Sequence, residues 1–130
     1  MPDIFLYVNE VRKVQLEAMM SELGPALRKA TADSLPDLGG PEDVEVRVIG
    51  TVASDNATTV QILCVASASD ERLSHKALLA LNLAKAWRKV AQKHCVGWID
   101  DVGVWPIMPE GAWFAATLEA IRELEESLKK

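Results

Sequence analysis

Residues 1–13 read MPDIFLYVNEVRK, and the fold turns on five of them: Ile4, Phe5, Leu6, Tyr7 and Val8. A short unbroken run of large apolar and β-branched residues reads as a buried strand, here from about Asp3 to Val8. Pro2 stands directly in front of it. Proline has no backbone N–H to give to a neighbouring strand, so it is tolerated where a strand starts and not inside one. Position 2 carries a second meaning. Removal of Met1 would turn Pro2 into a secondary amine at the tip of a core strand.

Beyond this strand the period of the apolar residues changes. Val14, Leu16, Met19, Met20, Leu23, Leu27 and Ala30 recur at helical spacing, and Gly24-Pro25 predicts a kink or a break in that helix. The stretch PDLGGPED (36–43) is a connector. VEVRVIGTV (44–52) alternates, with Val44, Val46 and Val48 on one side and Glu45 and Arg47 on the other, while TTVQILCVASA (58–68) is more continuously apolar. ASDNA (53–57) between them reads as a hairpin turn, which makes these two strands antiparallel neighbours. Asp70 offers an N-cap to a second helix over 71–94. WIDDVGVWPI (98–107) reads as a fourth strand, and Thr117–Lys130 as a terminal helix with Leu118, Ile121 and Leu124 on one face.

The order is βαββαβ followed by a helix. It makes one domain over 1–130, built from two similar βαβ units at about 2–52 and 58–107 with a C-terminal segment at 108–130. Right-handed crossovers place both helices on one face of a four-stranded mixed sheet, an α+β fold. The other face is apolar and no remaining segment is large enough to cover it, so the chain is expected to oligomerise.

Composition agrees with such a domain: 130 residues, 49% hydrophobic and 25% charged. With 14 basic against 19 acidic residues the net charge is −5, which argues against sequence-independent nucleic-acid binding but not against a local cationic pocket. Cys64 and Cys95 form no CxxC pair, and no His, Asp or Glu cluster has ligand spacing, so no metal site is expected. The N-terminus does not read as a secretory leader, and no segment reaches the ~20 apolar residues of a membrane span. The default reading is a cytoplasmic protein with no membrane partner.

A Met-Pro start, a strand directly after it, and arginines at positions 12 and 47 together resemble the tautomerase superfamily, which includes 4-oxalocrotonate tautomerase, macrophage migration inhibitory factor and malonate semialdehyde decarboxylase. The resemblance spans roughly residues 2 to 115. It implies two fused βαβ units assembled as a homotrimer, no cofactor, and catalysis by the N-terminal proline on a small anionic carbonyl substrate. It casts Pro2 as the catalytic residue and Arg12 and Arg47 as substrate-binding arginines. Asp3, where the family usually has an apolar residue, and Val11, where a glycine is usual, are departures.

A free prolyl nitrogen can act as base, acid or nucleophile. An α-amino group titrates at about 8, and burial or nearby cations would lower that toward neutrality. Asp3 pushes the other way, because a carboxylate next door favours the protonated amine. Arg12 and Arg47 can grip a carboxylate bidentately and stabilise an enolate. Each has a plainer reading: Arg12 before Lys13 as a solvated helix start, Arg47 as the outward residue of an alternating strand. Arg72, at the entry to the second helix, is the equivalent candidate in the second unit. The aromatics Trp98, Trp105, Trp113 and Phe114 are candidates for an apolar wall over the proline, or for core and interface packing. Asp101 is a candidate for activating water, and equally a solvated turn acid. Tautomerisation is the leading reading. Decarboxylation, hydration or dehalogenation on the same scaffold is the first alternative, and a non-catalytic trimer that keeps Met1 is the second.

Overall fold

A computed structural model describes residues 2–51, 60–109 and 118–129 of the chain. The strands are β1 (Asp3–Asn9), β2 (Glu45–Thr51), β3 (Val60–Val65) and β4 (Val102–Ile107). The helices are α1 (Glu10–Ser34), α2 (Asp70–Ser74), α3 (Lys76–Lys93) and α4 (Leu118–Leu128), with one 3-10 turn at Pro41–Asp43.

β1 passes straight into α1 at Asn9, whose side chain accepts a hydrogen bond from the Arg12 N–H at 2.9 Å. That bond satisfies one of the free donors of the first helical turn. The helix then runs unbroken to Ser34, through Gly24-Pro25. The expected break does not occur. Pro25 is exposed, while Leu23, Leu27, Ala30 and Thr31 are buried on the sheet side, so packing on both flanks of the proline holds the helix together. Near its end, the buried hydroxyls of Thr31 and Ser34 donate to the Leu27 and Ala30 carbonyls at 2.9 and 2.6 Å.

The sheet order is β2-β1-β3-β4. β1 is parallel to β2 and antiparallel to β3, and β3 is parallel to β4. The expected β2–β3 hairpin is therefore wrong: β1 lies between these strands, and residues 52–59 that connect them lie outside the described residues. β1 and β3 are the most continuously apolar strands, and they take the two central places. The second helix also differs in detail. Ser69, not Asp70, is its cap, accepting from Arg72 N–H at 3.1 Å, and the helix is divided at His75 into α2 and α3.

α1 and α3 pack side by side on one face of the sheet. Ile4, Leu6, Ile62 and Cys64 from the strands meet Leu16, Leu23, Leu27, Leu79, Leu83 and Trp87 from the helices, all buried. Each large apolar side chain contributes about 1.5–3 kcal/mol on burial. Among the described residues nothing covers the opposite face. Phe5, Tyr7, Ile49, Leu63, Val65, Trp105 and Ile107 share it, with Trp105 55% and Ile107 38% exposed. Gly103 matters here. A Cβ at that position would sit 2.7 Å from the Trp105 ring nitrogen, crowding the hydrogen bond from that nitrogen to Gln61. Among the described residues no helix is long and apolar enough to cross a membrane.

Candidate active site

Strand direction sorts the candidate residues to two ends of the sheet. At one end lie the start of β1 with Pro2, the end of β3, the end of β4 and the start of α2. At the other lie Asn9, the first turn of α1, and the segment before β4.

Pro2 is buried and continues the core-facing period of Ile4, Leu6 and Val8. Its carbonyl accepts from the Glu45 N–H at 3.3 Å, which ties the terminus to the start of β2. Asp3 follows on the opposite, uncovered face. Arg72 belongs to this end and is buried. Its Nε and Nη2 donate to Asp37 Oδ2, both at 2.8 Å, and its Nη1 donates to the Ser67 carbonyl at 3.2 Å and the Ser67 hydroxyl at 3.1 Å. The guanidinium thus joins the loop after α1 to the loop after β3. Cys64 is close by; burial pushes its thiol up to about 11, which leaves it protonated and unreactive at neutral pH.

The other end carries Arg12. Its Nη1 donates to Asp101 Oδ2 at 3.0 Å, and its guanidinium carbon lies 4.8 Å from the centre of the Trp98 ring. Trp98 stacks on buried Trp87 with ring centres 5.4 Å apart and donates to Gln15 at 2.9 Å. Trp87 in turn donates to the Ile99 carbonyl at 2.9 Å. The arginine is thus oriented by a chain of packed rings that begins in the core. It borders an open depression of about 440 Å³ lined by Gly97, Trp98, Asp100 and Asp101.

The remaining candidates lie elsewhere. Arg47 pairs in register with Phe5 on the uncovered face, and Glu45 two residues away holds its fork at 2.9 and 2.8 Å. Trp105 is on the same face. Trp113 and Phe114 lie outside the described residues. β1 has seven residues at about 3.3 Å each, so Pro2 and Asn9, the cap of the helix that carries Arg12, are about 23 Å apart. Within one chain the structure brings Arg72 to Pro2's end and Asp101 to Arg12, but it does not bring Arg12 or Arg47 to Pro2. Asp37, Ser67 and Gln15 are partners that the sequence alone did not single out. Asp37 follows Pro36 in an aperiodic connector, where no spacing rule applies. Among the described residues no three His, Cys, Asp or Glu side chains gather to hold a metal ion.

No protein-family model and no curated protein matches the sequence. Solved structures do. A fused 4-OT, a wild-type asymmetric trimer, matches with TM-score 0.59 and 15% identity over 92% of this chain and 98% of its own. MIF2 of Leishmania major matches with TM-score 0.57 and 11% identity over 90% and 96%. Malonate semialdehyde decarboxylase, described with decarboxylase and hydratase activities, matches with TM-score 0.51 and 16% identity over 92% and 96%. The fold is the tautomerase-superfamily fold.

Proposed function

We propose that the chain is an isomerase of small carbonyl or enol acids, with Pro2 as its acid/base once Met1 is removed. The observation that carries this reading is the placement of Pro2: buried at the end of the central strand and tied by its carbonyl to the neighbouring strand. A terminal amine held there is rigid and partly desolvated, which favours the neutral, basic form. In ketonisation the enol gives its hydroxyl proton to the nitrogen, and the resulting enolate takes that proton back at carbon. No other reactant is needed. Such proton transfer by a positioned group contributes about 10²–10⁴-fold.

An anionic substrate also needs a cation, and the separation along β1 means that Arg12 of the same chain does not supply it. The uncovered apolar face supports assembly, and the fused 4-OT neighbour is described as a trimer. The reading is therefore a homotrimer in which Pro2 of one copy meets Arg12 or Arg47 of another. Binding substrate there would exchange the Asp101 or Glu45 carboxylate for that of the substrate.

A second reading rests on Arg72 and Asp37 at Pro2's own end. An acid–arginine pair beside a terminal amine suits decarboxylation of a 3-oxo acid or hydration of an unsaturated one, with the acid directing water.

Ketonisation of phenylpyruvate and of 2-hydroxymuconate by the wild type and by Pro2→Ala, alongside the intact mass of each preparation, tests this. A mass lacking one Met residue with activity that falls at least about 100-fold in Pro2→Ala supports the proline mechanism. Activity that survives Pro2→Ala, or that belongs to protein retaining Met1, overturns it.

A further inference from the structure

The last helix and the helical face of the domain have opposite charge. α3 carries Lys76, Lys85, Arg88, Lys89 and Lys93 and no carboxylate, while α4 carries Glu119, Glu123, Glu125 and Glu126 against Arg122 alone. The chain as a whole is at −5, so this segregation runs against its average. Two of the α3 cations have partners in the body of the domain, Arg88 with Asp100 and Lys93 with Glu22. No carboxylate of the described residues pairs with Lys85 or Lys89.

The shapes also correspond. On the solvent side of the α1–α3 pair a groove of about 320 Å³ runs past Ala26, Ala30, Asn82 and Ala86, bordered on the α1 side by the Lys29–Asp33 ion pair at 2.7 Å and on the α3 side by Lys89. Its floor is low because alanines from both helices face each other there. Leu78 and Leu81 stand exposed on the α3 side at 43% and 50%. By helical spacing the α4 sequence is amphipathic: Leu118, Ile121, Leu124 and Leu128 share one face, Glu119, Glu123 and Glu126 fall on the other, and Glu125 borders the apolar face. Among the described residues, α4 makes no extended contact with any other element, and Leu128 is 78% exposed.

We infer that α4 is an assembly arm: it docks, apolar face down, in the α1–α3 groove of a second copy of this chain, with its glutamates against Lys85 and Lys89. The second copy is favoured over the chain's own groove because the apolar sheet face, which no described residue covers, already calls for assembly. This inference does not rest on the proline chemistry, and it holds whether or not Met1 is removed.

The test is the dissociation constant of the full-length assembly, from sedimentation velocity over a dilution series. Leu128→Glu, the pair Lys85→Glu/Lys89→Glu and the pair Glu123→Lys/Glu126→Lys are each expected to weaken assembly by about tenfold or more. Combining the two charge-reversed pairs in one chain should restore wild-type assembly to within about threefold. All these positions are exposed helical sites, so the variants should fold, and circular dichroism checks that they do. Unchanged assembly in the single-pair variants overturns the inference. So does a lowered melting temperature with unchanged assembly, which would mean that α4 docks on its own chain. Loss of ketonisation activity without loss of assembly would bear on the proline mechanism alone.

Discussion

The two ends of the sheet hold an arginine each, and they use it differently. Arg72 at the proline end is buried, and Asp37 and Ser67 between them accept from all three of its guanidinium nitrogens. Arg12 at the far end lies along an aromatic ring, gives one nitrogen to a half-exposed aspartate, and borders open solvent. The first arrangement holds two loops together; the second presents an oriented charge. An arginine beside the reactive terminus is thus not automatically the one free to take substrate, and one far away in the same chain can be better prepared for it.

The sharpest way to break this comparison is to remove both cations. Arg72→Met should destabilise the fold by about 2–3 kcal/mol, because Asp37 then lies beside an apolar replacement and two loops lose their tie. The figure is set below that of a fully buried pair because the Asp37 side chain is 37% exposed. Urea denaturation midpoints measure it. Ser69→Ala, which removes the cap that positions Arg72, should cost about 1 kcal/mol by the same measurement. Arg12→Met should cost less, about 1 kcal/mol, since one ion pair to a half-exposed aspartate and one ring contact are lost and Asp101 can turn to solvent. Its larger effect should be on KM for an anionic enol acid. If Arg12→Met proves the more destabilising of the two arginine variants, the contrast between the ends is wrong.

The two cysteines report on the same ends. Cys64 is buried near Arg72, and Cys95 is exposed beyond α3. Titration with a disulfide reagent at neutral pH should show one thiol reacting at once and the second only as the protein opens. Because the folded thiol of Cys64 ionises at about 11 rather than 9, its contribution to stability is complete below pH 9 and is lost as pH rises through 11. Stability above pH 9 should therefore fall less in Cys64→Ala than in the wild type. The smallest effect concerns Glu22, whose carboxyl is held below its usual value by Lys93 and then by His94. Its contribution is present above the ordinary carboxylate range and fades as pH falls below it, so Glu22→Gln should flatten the acid limb of the stability profile slightly.

Much of this was legible in the residues. The unbroken apolar run Ile4–Val8, the period of 2 in Val44–Val48 and the period near 4 in α1 were enough for the architecture, and the Met-Pro start was enough to single out Pro2 as a candidate. Strand order was not, because ASDNA has the composition of a hairpin turn, while β1 pairs with both β2 and β3 and so separates them. Local composition does not carry that pairing. The helix break at Gly24-Pro25 failed for the same reason: tertiary packing on Leu23 and Leu27 outweighed an intrinsic preference. The partners of Arg72 were hidden, and Trp98 and Asp101 were candidates whose pairing with Arg12 was not seen, because Asp37, Ser67, Trp98 and Asp101 lie in loops, where contact follows from the fold and not from spacing.

The central position of β1 also sets a clock. Its two neighbours both come later in the chain: Glu45 is made only after the whole of α1, and Val65 after that. At about 5–20 residues per second of synthesis, the N-terminus spends several seconds outside the ribosome as an unpaired strand. Removal of Met1 has that interval in which to act on an accessible terminus. Once β2 and β3 close on either side, Pro2 is buried. On the proposed proline chemistry, the fraction of chains with a free prolyl amine would be set during biosynthesis as much as by the folded protein, and slowing or speeding translation of the first sixty-five codons should change it.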